Sequence, residues 1–258
     1  MKANLAPIPT FYVPQTLFSV DTNAKTVKGQ KYGFLTAVLY LAPADLASTP
    51  GRKVNLCAMA ERAQCKAPCL FTAGRAAFTP SIIKARINKT HYFLYDRAAF
   101  MAHTVREIRK LIRRAERMGL TLLVRMNGTS DIHWESIGLT VDGVEYENIM
   151  TVFPEVQFYD YTKIPSRFTN PHALPSNYDL TFSYSGAPTF SKYVSRARED
   201  GARMAVVFRT KDFPTTFLDA QVVDGDDSDI RHLDPAGAVV ALYAKGRAKR
   251  DTSGFVVG

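Results

Sequence analysis

GFLTAVLYLAPA, residues 33–44, is the longest apolar stretch with strand character in the chain, and its reading, with that of the loop behind it, decides the fold. Phe34 to Leu41 runs through Leu, Val and Tyr without polar alternation, which reads as a strand buried on both faces. It is too short to cross a bilayer, and no run of about eighteen apolar residues occurs elsewhere. The loop is VNLCAMAERAQCKAPCLFTAGRAAF at 54–78, and it holds all three cysteines of the 258-residue chain. Pro80 and Ser81 then mark a helix start.

Outward from this strand the chain keeps an α/β rhythm. Strands are expected at 120–128, 156–163, 178–186, 203–211, 219–225 and 238–246. Helices are expected over the basic segment that ends at Gly119, in EYENIMTVFPE before Pro154, and at 189–202. Such alternation argues for a parallel sheet with right-handed crossovers. Several apolar runs end in polar groups: Asn127, Thr129, Ser130 and Asp131 after one, Asp160, Thr162 and Lys163 after the next, Ser183 and Ser185 after a third. In barrels and in open parallel sheets alike, ligands gather at the carboxyl ends of the strands. The organisation expected is an N-terminal extension, 1–30, and one α/β domain, 31–258, with the cysteine loop at 54–75.

The formal charge is +9, which permits an anionic partner such as nucleic acid or a small anionic ligand. FMAHTVREIRKLIRRAERMG (100–119) carries one apolar stripe, with Arg106, Arg109, Lys110, Arg113, Arg114 and Arg117 on the remaining faces. AKGRAKRD (244–251) is a second basic cluster. A solvated surface accounts for both as well as a polyanion does. The N-terminus shows no apolar core of a secretory signal, so the expected location is the cytoplasm, where disulfides are rare.

That location turns the cysteines toward metal or reactive chemistry. Cys57, Cys65 and Cys69 are spaced C-x7-C-x3-C in the loop that leaves the first long strand at its carboxyl end. A structural zinc ion wants four ligands, and no histidine lies in the loop; His91, His103, His133, His172 and His232 are all distant in sequence. An iron–sulfur cluster is ordinarily held by four thiolates, and three leave one iron open. Small and apolar neighbours, among them Leu56, Ala58, Met59, Ala60, Ala67 and Leu70, suit a shielded cofactor, with Gly74 and Arg75 as donors toward its charge. Zinc, and three reduced cysteines packed as small apolar groups, are the alternatives.

NLCAMAERAQCKAPCLFTAGR, LLVRMNGTSDIHWE (122–135), FPEVQFYDYTK (153–163) and FSYSG (182–186) resemble a bacteriophage protein family of the gene product eighty-eight type, from about residue 30 onward. A phage protein of this kind would work in the host cytoplasm. At one remove, a cysteine triplet after the first strand of a parallel barrel is similar to the radical S-adenosylmethionine (SAM) enzymes. That resemblance implies a partial TIM-like barrel, a [4Fe–4S] cluster on Cys57, Cys65 and Cys69, and an open iron that chelates SAM. The chain departs from that superfamily in its longer cysteine spacing and in MNGTSD (126–131), which stands where a Gly-Gly-Glu-like turn is usual.

The polar turn Asn127, Thr129, Ser130 and Asp131, with Lys163, is the candidate binding set for a cofactor or small anion; capping turns and an Asp160–Lys163 ion pair are the structural alternatives. Asp131, His133 and Glu135 alternate beside Trp134, as metal or acid–base groups or as a turn around a core tryptophan. DGDDSD (224–229) lacks the Gly and Glu of a calcium loop and reads as an acidic turn facing the basic clusters. No phosphate-binding glycine loop and no serine-hydrolase elbow occurs. Two functional classes remain: an iron–sulfur enzyme of radical SAM type, or a noncatalytic iron–sulfur or zinc protein that binds nucleic acid or a host protein through its basic surface.

Overall fold

The structure, a computed structural model, describes residues 7–22, 24–74, 78–170 and 173–258. Strand β1 (Phe18–Val20) leads through helix α1 (Ala24–Lys28) to β2 (Phe34–Leu39). After the cysteine loop come α2 (Pro80–Tyr95) and α3 (Arg97–Arg117), then β3 (Thr121–Arg125). A small hairpin, β4 (Leu139–Val141) and β5 (Val144–Tyr146), and the one-turn α4 (Ile149–Val152) precede β6 (Gln157–Thr162) and β7 (Tyr178–Ser183). The chain ends through α5 (Ser191–Glu199), β8 (Met204–Phe208), β9 (Thr216–Phe217), β10 (Ala220–Asp224) and β11 (Val239–Tyr243).

These strands form one nine-stranded sheet in the order β1-β2-β3-β6-β7-β8-β11-β10-β9, with β4 and β5 paired apart from it. From β2 to β10 every neighbour is parallel; only the edge strands β1 and β9 run antiparallel. From β2 through β11 the six strands are laid down in chain order, each crossover stepping to the next position in the same direction. The carboxyl ends of these six strands therefore open on one side of the molecule. The backbone pairing does not close on itself among the described residues; instead α1 reaches the far end of the sheet through side chains, with Lys25 Nζ 2.6 Å from Asp226 Oδ1 and donating to the Gly225 carbonyl.

Alternation along the strands gives the sheet two unlike faces. One face carries Leu35, Ala37 and Leu39 of β2, Leu122 and Val124 of β3, and Phe158 of β6 under α3, whose Val105, Ile108, Leu111 and Ala115 are buried against them. A second cluster joins Met204 and Val206 of β8 to Val194 and Ala197 of α5. The other face is more polar: Tyr159 and Tyr161 of β6 both donate to Asp229, which also pairs with Arg125 of β3 at 3.3 Å.

The element pattern departs from the expected rhythm in three places. Residues 18–20, expected in the extension, form a strand of the main sheet. Among the described residues the β6-to-β7 crossover carries no helix longer than the turn at Pro165–Arg167. The β4–β5 hairpin turns at Asp142 and Gly143, both with positive φ, a dipeptide whose hairpin signal is local and readable. No helix of the described residues is long and apolar enough to cross a membrane.

Candidate functional site

The cysteine loop lies across the carboxyl ends of the strands and is pinned there at several points. The Asp131 N–H donates to the Leu56 carbonyl (2.8 Å), which ties the loop to the segment after β3. The Ser185 hydroxyl, just beyond β7, donates to the Ala63 carbonyl (2.8 Å), and the Thr189 hydroxyl to that of Arg62 (2.7 Å). Cys69 precedes a single 3-10 turn, Leu70–Thr72, against which Gly246 packs so closely that a Cβ there would stand 2.6 Å from the Thr72 carbonyl oxygen. Loop and sheet end are one packed unit.

All three cysteines are free thiols, half-buried. Cys57 accepts from the Ala44 N–H (3.4 Å) and donates to the Thr129 carbonyl (3.6 Å), so it sits between the ends of β2 and β3. Burial pushes its thiol up to about 12, with smaller upward contributions from Cys69, Asp131 and Cys65. Burial likewise raises Cys65 and Cys69, and the charge of Cys65 adds to the rise at Cys69. The thiols are thus near enough for each charge to oppose the next. Burial outweighs the Lys163 and Arg86 charges and keeps Cys65 and Cys69 protonated; a bound metal would reverse that preference.

Lys163 brings a positive charge to the site, weaker in its effect on the thiols than burial. It follows β6 directly, and its Nζ donates to the Ser183 carbonyl (2.9 Å), the Ser183 hydroxyl (3.1 Å) and the Tyr184 carbonyl (3.3 Å). The rings of Phe255 and Phe190 lie 4.9 and 5.4 Å from it. Burial lowers its affinity for a proton, while Cys65, Asp131, Cys69 and Cys57 raise it. The fold therefore brings Lys163 to the cysteines and not to Asp160, so the alternative ion pair does not form.

The turn after β3 is held from within. Asn127 is 2% exposed; its Oδ1 accepts from the Ser130 hydroxyl (2.8 Å), the Ile132 N–H (2.9 Å) and Trp134 Nε1 (3.1 Å). Thr129 donates its hydroxyl to the Leu41 carbonyl at 2.5 Å. Asp131 accepts from the Lys163 N–H (2.8 Å) and from Arg167 (3.4 Å), and burial raises its carboxyl above the ordinary range. Of the predicted binding residues, the Asp131 and Lys163 charges act on the cysteines; Thr129 meets Cys57 through its carbonyl; Asn127 and Ser130 face the network under the turn.

The remaining sequence candidates resolve into structure. Trp134 is fully buried, and Glu135 grips Arg167 through both oxygens (2.8 and 2.6 Å). The acidic turn is indeed paired with basic groups: Asp226 meets Lys25 and Lys245, and although burial alone would raise its carboxyl, those lysines and the Tyr243 N–H hold it down at about 2. The buried His91 bonds the Ala47 carbonyl. Arg75 and His172 lie outside the described residues. Arg86 of α2, which no local sequence signal singles out, stands beside Cys69 and lowers its thiol's pKa against the pull of burial. Among the described residues no three His, Cys, Asp or Glu side chains form a group that could hold one metal ion.

Residues 16–258 match the model of the family described as gene product 88. The chain belongs to the gene product 88 family. No curated protein and no solved structure matches it. In this gene product 88 chain the matched region takes in β1 through β11, the cysteine loop, Lys163 and Arg86. The match therefore spans the site together with the sheet that carries it.

Proposed function

We propose that the chain is an iron–sulfur protein whose Cys57, Cys65 and Cys69 hold a [4Fe–4S] cluster at the carboxyl ends of a partial barrel of the radical SAM type. The observation that carries this reading is one loop that holds all three free thiols and is pinned across the side of the sheet where six strands end. The pins are Cys57 to Ala44 and Thr129, Leu56 to Asp131 and Ala63 to Ser185, and the Lys163 charge acts on each thiol. The donor set fits: sulfur ligands suit iron–sulfur clusters and zinc. A single zinc ion requires its thiolates to close on one point, with Zn–S about 2.3 Å. A cluster would instead take its thiolates on separate irons, three of them here, with one iron left open. Laying the parallel strands down in chain order, with α1 bridged to the β10 loop, supports a sheet curled toward a barrel.

When bound, a cluster with three thiolate ligands supplies redox chemistry and an iron open to a small ligand, SAM in the radical SAM reading. The chain's own groups prepare the place. Lys163 offsets the negative charge of the thiolates, Asp131 fixes the Lys163 backbone, and the Phe190 and Phe255 rings keep water from the ammonium. Replacing Cys57, Cys65 or Cys69 singly by Ser is expected to remove most of the iron from anaerobically purified protein; unchanged iron in all three variants would overturn the assignment. Addition of SAM to the reduced protein is expected to change its electron paramagnetic resonance signal and yield 5′-deoxyadenosine. No response to SAM leaves the noncatalytic class.

One observation favours that second class. Arg106, Lys110, Arg113 and Arg117 are exposed at spacings of four, three and four along α3 and form one stripe. Their neighbours Arg109 and Arg114 pair with Asp142 and Asp21, whereas these four pair with no described carboxylate. The stripe borders a groove of about 630 Å³ that Gln15, Thr16 and the Glu107 carboxylate also line. Such a row of unpaired cations fits a nucleic acid backbone.

A further inference from the structure

Arg86 enters the cysteine site from α2 and is 8% exposed. Its guanidinium carbon lies 4.6 Å from the centre of the Tyr40 ring and 5.2 Å from that of Phe71, so residues from the end of β2 and from the turn after Cys69 hold the planar group between them. Four arginines are buried among the described residues. Arg167 pairs with Glu135 and Asp131, Arg203 with Asp179, and Arg231 with Asp234. Arg86 pairs with no described carboxylate, and its Nη1, closed off from solvent, has no hydrogen-bond partner among the described residues.

A buried guanidinium without an anion is costly, and an arriving anion would relieve that cost. Lys163 does not take that part, because its Nζ hydrogens already go to Ser183 and Tyr184. Arg86 is the uncommitted donor of the pocket. We propose that Arg86 is an oxyanion anchor: its guanidinium, whose Nη1 has no partner among the described residues, binds the carboxylate or phosphate group of a small ligand that enters the cysteine site. The fork of N–H donors matches either group bidentately, and the flanking rings fix its orientation before the ligand arrives. The inference does not depend on what the cysteines hold.

The test is thermal unfolding of the wild type, Arg86→Lys and Arg86→Gln as inorganic phosphate or acetate replaces chloride at fixed ionic strength. Each protein is measured as purified and after removal of metal. The wild type is expected to show a saturable rise in Tm. Arg86→Gln is expected to need about tenfold more anion or to show no saturation, with Arg86→Lys between them. Whether acetate or phosphate acts at the lower concentration identifies the group. The same response in wild type and Arg86→Gln, or no saturable response in wild type, overturns the proposal. So does an Arg86→Gln protein that loses its iron with its anion response unchanged, since the guanidinium then serves the thiolates. If Arg86→Gln does not fold, selenate soaked into wild-type crystals decides: an anomalous peak within hydrogen-bond distance of Arg86 upholds the anchor, and peaks only elsewhere reject it. An Arg86-dependent response in protein that never holds iron sustains the anchor while the cluster reading falls.

Discussion

Gly128 shows how tightly the site is built at the level of single residues. A Cβ there would stand 2.6 Å from Tyr40 Cδ1, 2.7 Å from the Leu39 carbonyl oxygen and 2.8 Å from Val38 Cγ1. Gly128→Ala must push β2 and β3 apart where Tyr40 backs Arg86, and a destabilisation of about 1–3 kcal/mol is expected in denaturant titrations. A smaller effect would show that the two strand ends are loosely packed. Asp160, fully buried, carries a second residue-scale prediction. Burial pushes its carboxyl up to about 7, although Arg125, the Asn127 N–H and the Tyr178 hydroxyl pull the other way. The unfolded chain releases this proton near pH ~4, so the folded state binds more protons between about 4 and 7. Stability should fall as pH rises through that window and level off above it. Asp160→Asn should flatten the slope relative to the wild type; an unchanged slope would mean that Asp160 is ionised throughout. The cysteines and Lys163 were legible because thiol spacing and a charged strand end are local signals. Arg86 was not: its burial depends on Tyr40 and Phe71, neither of them near it in the sequence.

At the level of elements, the two long helices divide the work differently. α3 is amphipathic along its whole length, and its apolar stripe was readable from spacing alone. α2 buries Arg86, Asn88, Thr90 and His91, so no clean apolar stripe marks its inner face. Those polar groups act as clamps. Asn88 accepts from the Tyr12 N–H (2.8 Å) and donates to its carbonyl (2.6 Å), Thr90 accepts from the Ala42 N–H (2.9 Å), and His91 holds the Ala47 carbonyl. α2 thereby fixes the N-terminal segment and the stretch between β2 and the cysteine loop. The exposed face of α3 makes its own prediction. Its stripe runs about 16 Å at about 1.5 Å per residue, long enough to meet two or three phosphates. Lys110→Glu with Arg113→Glu should weaken DNA or RNA binding and reduce its dependence on salt by about one in slope for each phosphate no longer met. Unaltered binding, or none by the wild type, would remove the nucleic acid reading and leave the cysteine site untouched.

At the level of the whole molecule, alternation of strands and helices was enough to expect a parallel sheet with its working end at the strand carboxyl termini. It did not reveal the antiparallel edges or the position of β10 outside β11, because short edge strands carry few residues and take their place from partners far along the chain. The long-range ties that bring the sheet's ends together, such as Lys25 with Asp226, likewise join residues about two hundred positions apart. What the complete fold adds is convergence: one loop and two cations, Lys163 from the sheet and Arg86 from α2, meet where six strands end. Iron and acid-labile sulfide measured in the anaerobically purified wild type test that convergence most directly. About four of each per chain are expected, with the Mössbauer signature of a single cubane cluster. Protein that is colourless and free of iron, or that carries one zinc ion and no sulfide, would contradict it.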